Sequence, residues 1–234
     1  MSITFLIPIY NEVKTARQAI EETIKLDIPY KEIVIIDNNS SDGSKEIINE
    51  YRDQKDIQII YQNKNLGFGN SIQDGFLKAS KEFIYIQYGD LEYDIRTSIE
   101  MLKLIKEKNL DVVFASRLKN TKTFKDFSRE LLKKPAYLAT IFCTFLVNLL
   151  YGKNFTDIIG TRLYRKDSLL PIIPKTSGQG FDFELASLIS KKNLKVEEVF
   201  IDYVPRKNSS DKKIKFYHIF NAIYGILKIK FFYR

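Results

Sequence analysis

Hydrophobic and polar residues alternate in two distinct ways along the first half of the chain. Short apolar runs of strand type occupy residues 3–9, 33–36, 57–61, 83–88 and 112–115. Apolar residues at helical spacing occupy the stretches between them, at residues 14–26, 44–51, 70–80 and 95–108. Strands that alternate with helices in this order predict an α/β fold, in which helices flank a Rossmann-like, mostly parallel sheet.

A polar loop follows each predicted strand. The loops are residues 10–12, 37–43, 63–69, 89–94 and 116–117. In open parallel sheets, ligands bind outside the carboxyl ends of the strands. We therefore expect these loops to lie on one rim of the sheet and to form the binding site.

Residues 135–152 contain no charged side chain, and a run of this length is at the lower limit for a helix that crosses a membrane. Thr140, Thr144 and Asn148 recur every four residues, so a helix here has one polar face. A single crossing would also put the residues that follow on the other side of the membrane from the predicted rim. We therefore expect the helix to lie along a membrane or to pack against the domain.

The C-terminal segment 212–234 combines basic and aromatic residues and contains no acidic one. Its apolar residues at helical spacing are Phe216, Ile219, Phe220, Ile223 and Leu227. This pattern predicts an amphipathic helix of the kind that lies on a membrane surface. The alternative is a packing helix whose lysines face water.

Composition excludes several classes of site. Cys143 and His218 are the only residues of their types, which rules out an intrachain disulfide, a cysteine-based metal cluster and a histidine-rich zinc site. A metal would have to be held by carboxylates, which favours Mg²⁺ or Mn²⁺. The start of the chain lacks the basic region of an export signal and predicts a strand, so we expect a cytoplasmic protein.

The net charge of +8 favours an anionic partner, such as a phosphorylated substrate, a membrane surface or a nucleic acid. A lysine-rich, solvated surface would give the same charge. The acidic residues of the strand-end loops would repel the phosphates of a nucleic acid, so we expect no nucleic-acid partner.

Two of the rim loops carry carboxylates. Asp37 ends a buried strand and opens a run of polar residues whose oxygens can accept hydrogen bonds from a base or a ribose. The alternative is that Asp42 and Gly43 only start the next helix. Asp90 and Glu92 are two residues apart and project to the same side of an extended segment, where they can hold a divalent cation or form a simple acidic loop.

Basic residues form a third group of candidates, because a guanidinium group binds phosphate with two parallel hydrogen bonds. They are Arg117, Arg129, Arg162, Arg165, Arg206, Lys207, Lys212 and Lys213. Each one taken alone also fits an exposed surface position.

Taken together, these segments resemble the family 2 glycosyltransferases, which have the GT-A fold. The first matching segments are Ile-Pro-Ile-Tyr-Asn-Glu at 7–12, Ile-Asp-Asn-Asn-Ser-Ser-Asp-Gly at 36–43, Asn-Leu-Gly-Phe-Gly at 65–69, Gly-Asp-Leu-Glu at 89–92 and Ala-Ser-Arg at 115–117. The match continues through Thr156-Asp157 with Gly160 and Arg162, through Gly-Phe-Asp-Phe-Glu at 180–184, and through 199–206. The ordered set covers nearly the whole chain, and its second half resembles the polyprenyl-phosphate branch, which includes dolichol-phosphate mannose synthases.

The resemblance implies roles for individual residues. Those implied for the nucleotide-sugar donor are Pro8, Tyr10, Glu12, Asp37, Asp42, Gly67 and Asp90, with Arg206 and Lys213 closing over its diphosphate. Asp90 and Glu92 match the positions that contact the metal, and Arg117 and Arg129 match arginines placed for an acceptor phosphate. The first aspartate of the family's Asp-x-Asp motif is Tyr88 here, and tyrosine is a poor ligand for Mg²⁺ at neutral pH.

The resemblance also implies an inverting single displacement that moves a hexose from a GDP- or UDP-sugar to a polyprenyl phosphate. A phosphate acceptor needs orientation, whereas a hydroxyl of a surface polysaccharide or lipid-linked glycan would need a carboxylate base, for which Asp157, Asp182 and Glu184 are the candidates. A non-catalytic scaffold is the remaining alternative, suggested by Tyr88.

We expect one domain over residues 1–234, with a donor-binding half at 1–117 and an acceptor-binding half at 118–234 that carries the amphipathic helices. Those helices predict peripheral attachment to the inner face of the membrane, and they could also form a homodimer interface.

Overall fold

The protein is described by a computed structural model over residues 2–118, 135–176, 178, 180–201 and 218–233, with the backbone alone at residues 135–137 and 218. The strands in these ranges are β1 (Ile3–Ile9), β2 (Lys31–Asp37), β3 (Ile57–Tyr61), β4 (Phe83–Ile86), β5 (Val112–Ser116), β6 (Arg162–Arg165) and β7 (Val196–Phe200). The helices are α1 (Ala16–Lys25), α2 (Ser44–Asn49), α3 (Phe68–Lys78), α4 (Thr97–Glu107), α5 (Pro135–Tyr151), α6 (Lys166–Leu169), α7 (Phe181–Lys191) and α8 (His218–Phe231). A 3₁₀ turn at Leu170–Ile172 follows α6.

These strands form one sheet in the order β3-β2-β1-β4-β6-β5-β7. β1 pairs in parallel with β2 and β4, β2 with β3, and β5 with β7. β6 runs antiparallel to both of its neighbours, β4 and β5. The predicted α/β fold with a mostly parallel sheet is confirmed. Because β6 and β7 pair with β4 and β5, one sheet extends across the division that the sequence suggested at residue 117.

The hydrophobic core lies in two layers, one on each face of the sheet. Alternate residues of β1 serve the two layers: Phe5 and Ile7 pack with α1, α2 and α4, whereas Leu6 packs with α3, α5, α7 and α8. β2 alternates in the same way. Strands that are apolar on both faces are typical of a sheet covered by helices on both sides, so the continuous apolar runs of the sequence are explained by this burial.

Helix α5 packs against the domain with the face that was expected to be polar. Thr144 is buried, and the Asn148 side chain donates to the Phe155 carbonyl at 2.8 Å and accepts from its amide at 2.9 Å. Cys143 and Val147 are buried on the same side of α5. The polar positions therefore face inward and help hold the following loop. No helix within the described ranges is both long and apolar enough to cross a membrane.

Helix α8 divides the apolar face seen in the sequence between the core, where Ile219 and Ile223 pack, and the outside of the molecule. Its buried residues are Ala222, Gly225, Ile226 and Ile229, whereas Phe220 is 66% exposed and Leu227 is 36% exposed. The physical reason is the close approach at Gly225, where a Cβ atom would lie 2.5 Å from Cγ of Glu184 on α7. A helix can pack this closely only through a small residue, so Gly225 decides which face is buried.

Candidate active site

The loops after β1 and β2 are joined by hydrogen bonds from backbone amides to side chains. The amides of Asn11 and Glu12 donate to the hydroxyls of Ser40 and Ser44 at 3.0 and 2.8 Å. The Asn11 side chain accepts in return from the amide of Ser41 at 2.9 Å. Two of the predicted rim loops therefore form one connected wall at the carboxyl ends of adjacent strands.

Asp42 belongs to this wall through its own carboxylate. Its oxygens accept hydrogen bonds from the Val13 amide at 2.9 Å and from the Ser44 amide and hydroxyl at 3.0 and 2.6 Å. Burial tends to raise the pKa of Asp42, but these hydrogen bonds, led by that from Ser44, hold it below its usual value. The geometry therefore favours the alternative in which Asp42 shapes the loop and starts α2.

Asp37, the last residue of β2, has one occupied and one unsatisfied carboxylate oxygen. The residue is 1% exposed, and Oδ1 accepts from the Ser40 amide at 3.0 Å. Oδ2 is buried and has no hydrogen-bond partner among the described residues. A buried carboxylate oxygen without a donor is costly and usually indicates a missing ligand or water. Asp37 therefore presents an acceptor for an N–H or O–H group of a ligand.

A third loop extends the same wall through Asn38 and Asn65. The Asn38 side chain donates to Asn65 Oδ1 at 3.1 Å and accepts from the Leu66 amide at 2.8 Å. Gly67, which precedes α3, has a φ of +83°, in the region that favours glycine. Pro8 and Tyr10, at the end of β1, are both half-buried. Every donor-site residue predicted before position 88 thus lies on β1, on β2 or in the loops that follow the first three strands.

The loop after β4 carries the two predicted metal ligands. Gly89 packs onto β1, because a Cβ atom there would lie 3.2 Å from Ile9 Cγ1 and 3.5 Å from the Pro8 carbonyl. Leu91 has a φ of +58°, and the Glu92 amide donates to Asp90 Oδ1 at 3.2 Å, so the loop turns tightly between the two carboxylates. Both carboxylates are half-buried. Within the described ranges no three metal-ligating side chains cluster, so a cation at Asp90 and Glu92 would take further ligands from the substrate.

Tyr88, at the position of the missing aspartate, is tied into a buried charge cluster. Arg162 on β6 donates to the Tyr88 hydroxyl at 2.5 Å and forms an ion pair with Asp182 at 2.7 Å. The Tyr88 ring stacks on Phe68, with 5.8 Å between ring centroids. Burial raises the pKa of the Tyr88 phenol, so the group stays protonated and neutral. Tyr88 therefore links the metal loop to β6 and α7 through Arg162.

Arg117 and Asp157 form a second buried ion pair. Arg117 Nε and Nη2 donate to the two oxygens of Asp157 at 2.6 and 3.0 Å, and the Arg117 and Ile159 amides add bonds of 3.2 and 3.1 Å. Asp157 is fully buried. Glu198 on β7 accepts from the Asp157 amide at 3.1 Å and supports the same loop. Burial raises the pKa of Glu198, although its hydrogen bonds act in the opposite direction.

Asp182 and Glu184 lie inside α7 and point to different sides. Residues two apart on a helix do not share a face. Asp182 contacts Arg162, whereas Glu184 accepts from the Thr176 hydroxyl and packs under Gly225 of α8. Of the three base candidates, Asp157 and Asp182 are thus paired with buried arginines, and Glu184 is 6% exposed beneath a helix. Arg129, Arg206 and Lys213 lie outside the described residues.

Sequence reasoning missed the partners of these residues. It singled out Arg162 as a surface or phosphate-binding candidate, and it gave no role to Ser40, Ser44 or Glu198. The sequence carried one weak signal for Glu198, which follows another glutamate inside a short apolar run. In such a run one of two neighbouring glutamates faces the core, and a charge that faces the core needs a partner.

The sheet order, the carboxylate-bearing loop after β4 and the wall around Asp37 define a GT-A glycosyltransferase fold. The family model described as glycosyl transferase family 2 matches residues 4–172. The chain belongs to this family, which confirms the resemblance seen in the sequence and makes the protein a glycosyltransferase that uses nucleotide sugars.

Individual relatives agree with this membership. The chain is 25% identical to the dolichyl-phosphate beta-glucosyltransferase ALG5D of Trichomonas vaginalis, over 99% of this chain and 74% of the relative. It is 31% identical to a poly-beta-1,6-N-acetyl-D-glucosamine synthase of Staphylococcus epidermidis, over 45% of this chain and 26% of that protein.

Solved structures share the fold at lower identity. Glucosyl-3-phosphoglycerate synthase of Mycobacterium tuberculosis, crystallised with Mn²⁺, UDP and glucosyl-3-phosphoglycerate, superposes with a TM-score of 0.72 at 13% identity, over 98% of this chain and 80% of that one. S. aureus TarS in complex with UDP-GlcNAc gives a TM-score of 0.63 at 19% identity, over 97% of this chain and 67% of that one.

Proposed function

We propose that the protein transfers a hexose from a nucleoside-diphosphate sugar to a polyprenyl phosphate at the inner face of the membrane, with inversion at the anomeric carbon. The bond from that carbon to the diphosphate breaks as a bond to the acceptor phosphate oxygen forms. A UDP- or GDP-sugar fits the donor wall, because Asp37 Oδ2 is a buried acceptor that a base or ribose can satisfy.

The metal that fits this site is Mg²⁺ or Mn²⁺, because Asp90 and Glu92 supply hard carboxylate oxygens. When bound, such a cation stabilises the negative charge that develops on the leaving nucleoside diphosphate. Arg206 and Lys213 are proposed to add positive charge over the same diphosphate. Tyr88 orders the loop in place of a further carboxylate ligand.

The choice of a phosphate as the acceptor rests on whether any of the three candidate carboxylates is available as a base. A hydroxyl acceptor needs a base with an available oxygen, but Asp157 and Asp182 are held by arginines and Glu184 is buried under α8. A phosphate monoester is already an anion at neutral pH and needs only orientation, for which Arg129 is proposed. Arg117, the other arginine expected here, is held by Asp157, so that carboxylate largely neutralises its charge. The similarity to a dolichyl-phosphate glucosyltransferase over 99% of the chain supports the same acceptor class.

Donor binding is tested first by thermal shift with UDP, GDP and CDP and their sugar conjugates, with and without Mn²⁺. A ligand that binds the folded state raises Tm, and we expect a metal-dependent rise with one nucleotide. Asp37→Asn should weaken the shift with and without metal, whereas Asp90→Ala should remove only its metal dependence. An Asp90→Ala variant that keeps full metal-dependent binding and turnover would contradict the metal assignment.

The acceptor is tested by offering the identified labelled donor together with polyprenyl phosphate, the matching polyprenol or a glycan. We expect label to enter the lipid fraction only with the phosphorylated lipid. Transfer to the glycan or to the polyprenol would show a hydroxyl acceptor. Absence of both nucleotide binding and transfer would favour a non-catalytic scaffold.

A further inference from the structure

Helix α5 presents an apolar stripe to the outside of the molecule. Its members are Leu138, Phe142, Phe145 and Leu149, which follow the helical spacing i, i+4, i+7 and i+11. The polar residues Thr144 and Asn148 face the domain instead. A helix at the surface of a protein in water normally has the opposite arrangement. The arrangement of α5 is therefore suited to an apolar environment outside the protein.

Helix α8 presents a second stripe with the same spacing. Its members are Phe220, Tyr224, Leu227 and Phe231, and Phe232 continues the exposed aromatic surface beyond the helix end. The eight side chains of the two stripes are between 36% and 68% exposed. The helices touch at their carboxyl ends, where the Tyr151 hydroxyl donates to the Ile226 carbonyl at 3.1 Å. The stripes thus lie on two helices that contact each other, and their eight exposed apolar side chains at regular spacing differ from the singly scattered apolar residues of an ordinary surface.

The charge of the chain is concentrated next to these stripes in the sequence. Residues 119–134, which lead into α5, contain six basic and two acidic residues. Residues 202–217, which lead into α8, contain five basic and two acidic residues. These two segments account for seven of the eight net positive charges of the whole chain. Basic segments next in sequence to helices with exposed apolar stripes are typical of proteins that bind the anionic headgroups and the acyl boundary of a membrane.

We propose that the paired stripes of α5 and α8 are the surface on which this protein docks to an anionic lipid bilayer, with both helices lying in the plane of the interface. The amino end of α8 lies beside the start of α7, because a Cβ atom on Gly180 would meet the Asn221 carbonyl at 3.3 Å. Asp182 follows two residues later. Asp182 is linked through Arg162 to Tyr88, so docking through these helices brings this side of the candidate active site towards the membrane. The inference deepens the proposed function and rests on it for that orientation.

The chain contains no tryptophan, so a single introduced tryptophan reports on its own position. Leu149→Trp and Tyr224→Trp place the probe in the two stripes, and Leu77→Trp places it at an exposed apolar position on α3 as the matched control. Vesicles of phosphatidylcholine with about one third phosphatidylglycerol should blue-shift the emission of both stripe probes and leave the control unchanged. Blue shifts of all three probes, or of none, would overturn the proposal.

Co-sedimentation with the same vesicles gives the second test. The pair Phe142→Ser and Phe145→Ser should lower the partition coefficient at least about tenfold, because two phenyl rings leave the acyl boundary. The control pair Leu77→Ser and Ile99→Ser, at exposed positions on α3 and α4, should leave it unchanged. Binding should weaken with added salt and with pure phosphatidylcholine. Equal binding to both compositions would refute the anionic occupant.

Two further outcomes would assign the surface to another partner. A blue shift at Leu149→Trp that grows with protein concentration without vesicles, together with a dimer in sedimentation velocity, would assign the stripes to a second copy of the chain. Retention of full vesicle binding by the Phe142→Ser and Phe145→Ser pair would place the contact elsewhere. All these measurements omit donor and acceptor, so a failure of docking is distinguishable from a failure of the proposed glycosyl transfer.

Discussion

The hydroxyl of Tyr88 provides a sharp test of the buried charge cluster. Tyr88→Phe removes one oxygen and keeps the ring, which stacks on Phe68 and lies 5.5 Å from the ring of Tyr93. The lost interaction is the 2.5 Å hydrogen bond from Arg162. Arg162 is 1% exposed, so its Nη2 group cannot turn to bulk water when the partner is removed.

The expected loss follows from the charge and burial of that donor. A hydrogen bond to a charged group contributes about 1.5–3 kcal/mol, and a buried donor left without a partner loses that amount. For a chain of this size each kcal/mol lowers Tm by about 2–4 °C, so Tyr88→Phe should lower Tm by about 3–12 °C.

Tyr164→Phe is the matched control. Tyr164 lies on β6, two residues from Arg162, and its hydroxyl is buried with no hydrogen-bond partner among the described residues. Removing a buried, unpaired hydroxyl should leave stability unchanged or increase it. Urea and thermal denaturation followed by far-ultraviolet circular dichroism measure both variants. Equal changes in the free energy of unfolding for the two substitutions would refute the reasoning.

Three other substitutions test particular contacts. Asp157→Ala removes the carboxylate that pairs with the buried Arg117, and it should lower the free energy of unfolding in urea by about 3–5 kcal/mol. Glu197→Ala, which breaks the exposed Lys108–Glu197 pair, should lower it by less than about 1 kcal/mol. Similar losses for the two variants would contradict the assignment of a buried pair. Gly160→Ala would place a Cβ atom 1.8 Å from the Ala115 carbonyl oxygen and should lower Tm strongly. Gly178→Ala should leave Tm unchanged, because a Cβ atom there has no neighbour within 4 Å. An unchanged Tm for both variants would show that the loop before β6 can move freely. Burial tends to raise the pKa of Glu32, but hydrogen bonds from Ser80 and Thr4 hold it below its usual value. The stabilisation from the ionised Glu32 is therefore complete above the unfolded pKa of about 4.3 and is lost as the pH falls through the lower pKa of the folded state. The difference in the free energy of unfolding between the unchanged protein and Glu32→Gln should therefore become smaller in acid. A difference that does not depend on pH would contradict this linkage.

The first half of the fold could be predicted from the sequence because its signals are local. The predicted strands at 3–9 and 57–61 agree with β1 and β3, and the other three differ from β2, β4 and β5 by no more than two residues at either end. Each strand has its own apolar run, and each helix has its own spacing, so no knowledge of the neighbours was needed. The order of the motifs then indicated the family, and the match of the family model over residues 4–172 confirms it.

The second half was less predictable because its elements depend on partners far away in the chain. β6 is four residues long and begins and ends with arginine, so it has no apolar run of its own. It is a strand because β4 and β5 supply hydrogen bonds on both sides. The base candidates show the same limit, since the spacing of Asp182 and Glu184 did not reveal that one meets Arg162 and the other lies beneath Gly225.

The sequence by itself determined the alternation of strands and helices, the polar loops at the strand ends and the family to which they belong. These features depend on the periodicity and chemistry of neighbouring residues, which are written directly in the chain. The tertiary structure alone decided which face of α5 and α8 is buried, which carboxylates are neutralised by arginines, and that Tyr88 is held by Arg162. These choices are made between elements distant in sequence, where close packing and the pairing of buried charges select one arrangement.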